Sequence, residues 1–171
     1  MKGRLSVNTG GEGMTEGYLQ ILVESLEKKI IVLDHIIELD KQQEELAAHQ
    51  PMDMTAYDNI VEAKDKLVDE INRLDEGFSS TYQYIEMEVK DHPQQYREQV
   101  LKLQELIREA VAKGVTIEAQ EKRNRAALET VFRMKRQEIK QKRTAAAVAV
   151  KYYRSMSRIN DVDPQLMDKK K

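Results

Sequence analysis

The chain has 171 residues with 34% charged, a net charge of -2, no Cys, no Trp and only two Phe. Lack of cysteine excludes disulfides, thiolate metal sites and thiol nucleophiles, and it suits a cytoplasmic protein. One domain's worth of chain so poor in aromatics has to build its core from aliphatic side chains, and long helices do that best.

Residues Met1–Gly17 hold five of the seven glycines and no apolar centre. This is not a secretory signal, and residues 1–16 are expected to be a disordered leader. Nothing later comes near the roughly 18 to 20 apolar residues that span a bilayer; the run Ile30–Leu33, for example, ends at Asp34. Beyond Gly17 the helix breakers are Pro51, Gly77, Pro93, Gly114 and Pro164. Three or four long helices are predicted between them, in a single all-helical domain over residues 17–158.

The first helix is predicted over residues 17–48. Leu19, Leu22, Leu26, Ile30, Leu33 and Ile37 recur every three or four residues, which is one helical stripe. Ile21, Ile31, Val32, Ile36 and Leu39 add a second apolar face, so this helix is expected to be covered on more than one side. After a turn, Asp53 or Thr55 can cap a second helix whose seam reads Tyr57, Ile60, Lys64, Leu67, Ile71, Leu74 and Phe78 in a coiled-coil register. Lys64 is the one polar side chain in that seam. The same spacing passes Gly77 to Tyr82, Ile85 and Val89, giving one bent helix to about Asp91, with a break at Gly77 as the alternative. The two helices form a long antiparallel hairpin over residues 17–91, with Leu26, Ile30, Leu67 and Ile71 mutually buried.

C-terminal helices over residues 93–158 are expected to pack on the hairpin. One starts near Pro93 and carries Tyr96, Val100, Leu103, Ile107 and Val111 to a stop at Gly114. Another is headed by Thr116 and carries Leu128, Val131, Phe132 and Ile139, then Ala145–Ala149 and the Tyr152–Tyr153 pair. Asn124 falls on its apolar side, where a lone amide either fixes register or is simply exposed. Residues 159–171 are expected to be an unstructured tail.

Charge is unevenly placed. Between Glu16 and Asp91 there are 19 acids and 7 bases, whereas Lys122–Arg158 has 12 bases and 2 acids. An acidic hairpin is thus followed by a basic arm, and the opposed charges favour docking of the arm on the hairpin. Nucleic acid is the competing partner for KRNR and RMKRQEIKQKR. Against it stand the scarcity of aromatics and the lack of a zinc-finger or bZIP pattern. Membrane insertion is not expected either, since Ala145–Ala149 is a shallow apolar face.

No catalytic residue, metal ligand or cofactor site is predicted. His35, His49 and His92 are far apart in sequence, with His35 placed to be a partly buried structural side chain. There is no HExxH, no Gly-rich phosphate loop and no Ser elbow. Carboxylates recur at helical spacing from Lys or Arg, as in Glu24 with Lys28 and Glu62 with Lys66, which marks a solvated face.

The stretch YLQILVESLEKKIIVLDHIIELDKQQEELAAHQ, followed by AYDNIVEAKDKLVDEINRLDEGF, resembles the FlgN-type flagellar export chaperones, and so does EKRNRAALETVFRMKRQEIKQKR with its Ala-rich continuation and YY. The resemblance covers residues 18–153. It implies a chaperone that holds hook-filament junction subunits before type III export, binds their amphipathic C-terminal helix through its own C-terminal helices, and delivers them to the export gate. A gate-docking tyrosine has three candidates here, Tyr96, Tyr152 and Tyr153.

The partner-binding residues expected on the arm are Leu128, Val131, Phe132, Met134, Ile139, Val148, Tyr152, Tyr153 and Met156. They are apolar, occur at helical spacing and lie among bases that would steer an acidic helix. Homodimerisation through the seam of the second helix is the alternative to client binding, with a structural coiled-coil protein as its outcome.

Overall fold

In the computed structural model, the described backbone covers residues 9–169, and the described side chains are residue 11 and residues 13–157. Three α-helices account for nearly all of it: α1 (Thr9–Ala48), α2 (Met54–Asp91) and α3 (Arg97–Lys169). There is no strand among the described residues. At about 1.5 Å per residue, the 40 residues of α1 and the 38 of α2 make arms close to 60 Å long.

Long helices were expected, but their ends differ in three places. α1 begins at Thr9, inside the predicted leader, and Thr15 is already buried there. Residues 1–8 and the last two lysines lie outside the described residues. α3 does not stop at Gly114; it runs unbroken to Lys169, through Thr116 and through the predicted tail. Within that helix Thr116 Oγ1 donates back to the Ala112 carbonyl at 3.2 Å, so it is an interior residue and not a cap. Pro93 falls in the turn before α3 and not in its first turn.

Asp53 is the N-cap of α2, its side chain accepting from the Ala56 amide at 3.0 Å. α2 then passes Gly77 without interruption. Glycine in a helix interior costs about 1 kcal/mol relative to alanine, and flanking seam residues that are buried or half-buried on both sides outweigh that.

The chain divides into two units at Arg125 and Ala126. The first is a bundle of α1, α2 and the N-terminal part of α3. Lys29 pairs with Asp75 and Lys64 with Asp40, so numbers fall along α2 as they rise along α1: the hairpin is antiparallel. Asp34 pairs with Lys113 and Glu44 with Gln120, so α3 runs parallel to α1.

The core of the bundle gathers Leu19, Leu22, Leu26, Ile30 and Leu33 of α1, Ile85 and Val89 of α2, and Leu103, Leu106 and Ala110 of α3 around Tyr96. Tyr96 is 0% exposed, and its hydroxyl donates to Glu88 at 3.4 Å. Both apolar faces of α1 are used, since Val32, Ile36 and Leu39 are buried as well, although Ile21 and Ile31 are exposed. Of the expected hairpin quartet, Leu26 and Ile30 are buried and Ile71 packs against the core while half-exposed. Leu67 is half-buried and lies outside the central core cluster.

The second unit, from Ala126, consists of the remainder of α3. Among the described residues, no helix is long and apolar enough to cross a membrane.

Candidate functional site

Of the nine partner-binding residues predicted, Leu128 and Val131 are half-buried and the other seven are exposed. All nine lie on one unbroken helix, so what they offer a partner is a ridge and not a groove.

Helical geometry, about 100° per residue, sorts them. Leu128, Val131, Phe132, Ile139 and Tyr153 share one stripe, joined by Ala146 and Ala149, with Lys135 and Lys142 interrupting it. Met134, Val148 and Tyr152 fall to one side, and Met156 lies between. Arg136, Arg143 and Arg154 fall to the other side, at spacings of 7 and 11 residues that return to the same flank. Tyr152 and Tyr153 meet edge to face with ring centroids 6.2 Å apart. Apart from Lys142 with Glu138 at 3.0 Å, no base between residues 126 and 157 has an ion-pair partner among the described residues. The arm is therefore a largely exposed amphipathic helix whose bases, Lys142 apart, have no ion-pair partner among the described residues.

A second feature belongs to the bundle. Lys64, the one polar side chain of the α2 seam, reaches its Nζ to three acceptors at once: Asp40 Oδ1 at 2.9 Å, Gln43 Oε1 at 2.6 Å, and Glu121 Oε1. Asn124 of α3 donates to the Asp40 main-chain carbonyl at 2.9 Å and receives from Gln120 at 2.8 Å. Asp40, Gln43 and Asn124 are all buried. Lys64 and Asn124 thus prove to belong to one cluster that ties α1, α2 and α3 together, and of the two readings of Asn124 the buried one holds.

Electrostatics inside this cluster is finely balanced. Burial pushes the Asp40 carboxyl up to about 6, with the neighbouring Glu121 reinforcing the rise and Lys64 opposing it. Burial works against the charge of Glu121 too, but hydrogen bonding with Asp40 and Lys64 outweighs it and holds Glu121 below its ordinary value. Burial also opposes the Lys64 ammonium, and its bonds to Glu121 and Asp40 outweigh that and raise it. Asp40 Oδ2 is buried without a hydrogen-bond partner, which adds to the cost of the ionised carboxylate.

Beside the cluster, α2 and α3 stand apart enough to leave an open apolar cavity of about 490 Å³, bordered by Val61 and Val68 of α2 and by Gly114 and Ile117 of α3. Lys64 and Glu121 line its polar end. A further cavity of about 290 Å³ between the same two helices is lined by Phe78, Tyr82, Val100 and Ile107. The sequence reading missed this valley. Its signal was present as Val61 and Val68, one heptad apart and one step outside the seam.

Among the described residues, no group of three or more His, Asp or Glu is placed to hold a metal ion. His35 is exposed and not partly buried as expected, because it sits on the outer face of α1 beside Asp34. His49 Nδ1 lies 2.8 Å from the Glu45 carbonyl oxygen, and His92 caps α2 through its amide. Compared with known proteins, the chain matches no family model, no curated protein and no solved structure.

Proposed function

We propose that this protein is a cytoplasmic export chaperone of the FlgN type, without catalytic activity, which captures the amphipathic C-terminal helix of a hook-filament junction subunit on its arm and delivers it to the flagellar export gate. The observation that carries this reading is the exposed stripe from Leu128 to Tyr153 with its one-sided row of unpaired arginines. An apolar stripe attracts the apolar face of a client helix, and the basic flank selects one with acids on the matching side. Ala146 and Ala149 let that helix approach closely. Covering the client's stripe prevents premature self-association and needs no covalent chemistry. Of the three candidate gate-docking tyrosines, Tyr96 is enclosed in the core, so Tyr152 and Tyr153 are the accessible ones.

The test is calorimetric titration with a peptide from the C-terminus of a hook-filament junction protein, comparing the full chain with one ending at Arg125. The shortened chain keeps the entire core of the bundle and loses the whole stripe from Leu128 to Tyr153. Binding should collapse while circular dichroism shows the bundle still folded. Equal affinity in both chains would move the client site to the bundle and overturn the assignment.

A further inference from the structure

The valley between α2 and α3 has no part in the client reading, yet it leaves apolar side chains of both helices uncovered. It comprises two cavities along the same pair of helices, one at Phe78 and Val100 and the other at Tyr57 and Glu121. Along α3 this is about 30 Å at 1.5 Å per residue. Val61 and Val68 on one bank are exposed, and so is Ile107 on the other, with the exposed Val111 and Val115 following it along α3 at four-residue spacing.

The α2 bank also carries a row of acids. Asp58, Glu62, Asp65 and Asp69 share one face of α2, immediately outside Val61 and Val68. Asp58, Asp65 and Asp69 form no ion pair among the described residues, and Glu62 has only its own neighbour Lys66. The seat is therefore apolar along its floor, acidic on one bank and long enough for about six turns of helix.

A helix that fits it needs an apolar stripe of similar length and a basic flank on one side only. This chain carries such a helix. From Leu128 to Tyr153 the arm stripe spans roughly 38 Å, with Arg136, Arg143 and Arg154 along one flank. α3 supplies both features, the seat with residues from Val100 to Glu121 and the arm stripe with residues from Leu128 to Tyr153.

We propose that the α2–α3 valley is the docking site for the arm of a second copy of this chain, so that two copies exchange arms reciprocally. Each copy then covers its partner's apolar valley and neutralises the acidic row with its arginines. The exchange also shields both arms, so a client helix has to displace a partner arm before it binds. This inference is independent of the client's identity, and molecular mass reads it without any peptide.

The experiment is light scattering of the full chain across a concentration series at about 50 mM salt, where screening is weak. A dimer that dissociates on dilution and on raising the salt is expected. Val68→Lys places a cation at an exposed valley position, and Asp65→Lys with Asp69→Lys reverses the bank; each should weaken association by about tenfold or more with helicity unchanged. Adding Arg136→Glu and Arg143→Glu to the reversed bank, in the same chain, should restore the dimer. A monomer at every concentration overturns the proposal, as does a dimer indifferent to these changes. So does a monomer whose arm resists proteolysis, since that arm would be docked within its own chain.

Discussion

Lys64 Nζ lies 2.9 Å from Asp40 Oδ1 at a position where the Asp40 side chain is 0% exposed. One ammonium from α2 thereby serves a carboxylate of α1 and a carboxylate of α3, with Gln43 as its third acceptor. An aliphatic side chain in that seam position would pack equally well in other registers. A lysine with three fixed acceptors satisfies them in only one, so the cluster specifies how the helices align along their length.

Removing the cation leaves the fully buried Asp40 carboxyl beside the Glu121 carboxylate with no cation between them. Lys64→Met is therefore expected to destabilise the bundle by about 3 to 5 kcal/mol, measured by urea unfolding. Adding Asp40→Leu to Lys64→Met removes the stranded charge and should recover most of that loss. If Lys64→Met alone leaves the unfolding midpoint in place, the cluster does not hold the helices in register.

Asp40 also sets a pH dependence. Its pKa is about 6 in the folded protein against an ordinary value of 3.8. Between roughly pH 4 and 6 the folded state keeps a proton that the unfolded chain has released, so its contribution is full below that window and lost as pH rises through it. Relative to Asp40→Asn, the wild type should lose on the order of 2 kcal/mol of stability across the window. Glu121, held below its ordinary value, acts in the opposite sense and only at more acid pH. Urea titrations of the two proteins from pH 4 to 7 decide the matter; parallel curves would show that Asp40 is not the titrating group.

The glycines explain where sequence patterning failed. Gly114 reads as a helix stop and Gly77 as a kink, but both are interior residues of unbroken helices, and a Cβ added at either meets nothing within 4 Å. Gly77→Ala and Gly114→Ala should each stabilise the protein by about 0.5 to 1 kcal/mol, read as a higher thermal midpoint. A lower midpoint for Gly114→Ala would mean that the open cavity beside it is needed by the fold.

What was legible in the sequence is what period alone encodes. The stripe of α1 and the seam of α2 are buried or half-buried where the spacing puts them, and Lys64 stood out as the polar member of that seam. Period does not reveal which residue faces a third helix. The pairing of Lys64 with Glu121, 57 positions away, and of Asn124 with the Asp40 carbonyl, 84 away, depends on α3 lying parallel to α1. Nor does it reveal an uncovered valley, because Val61 and Val68 look like ordinary seam neighbours until α2 and α3 are seen to part there. The arm's bases and apolar spacing were legible, but not that its residues lie on one unbroken helix and so present a ridge.

Burial separates two leucines of the same hairpin. Leu22 is enclosed by the core, whereas Leu67 is half-buried and outside the core cluster. Leu22→Ala is expected to cost about 3 to 5 kcal/mol and Leu67→Ala roughly half as much, because a half-exposed side chain loses less transfer energy and leaves no closed cavity. Equal losses in denaturant unfolding would place Leu67 in the core after all.

The arm offers the sharpest separation of function from stability. Phe132 and Ile139 lie on its apolar stripe, while Val148 and Tyr152 lie off it, and all four are exposed. A client helix seated on the stripe has Phe132 and Ile139 beneath it, so Phe132→Glu and Ile139→Glu should each weaken binding of the junction-protein peptide by about tenfold or more, as expected when a large apolar anchor is lost from the centre of an interface. Val148→Glu and Tyr152→Glu should change it little, because they bring a charge to a flank that stays in water. None of the four contributes to the bundle core, so each variant should still unfold in one cooperative thermal transition. Peptide titration and thermal unfolding on the same four variants give both readouts. Equal weakening by flank and stripe substitutions would mean that the client wraps the arm or recognises only its charge, and the seat drawn here would be wrong.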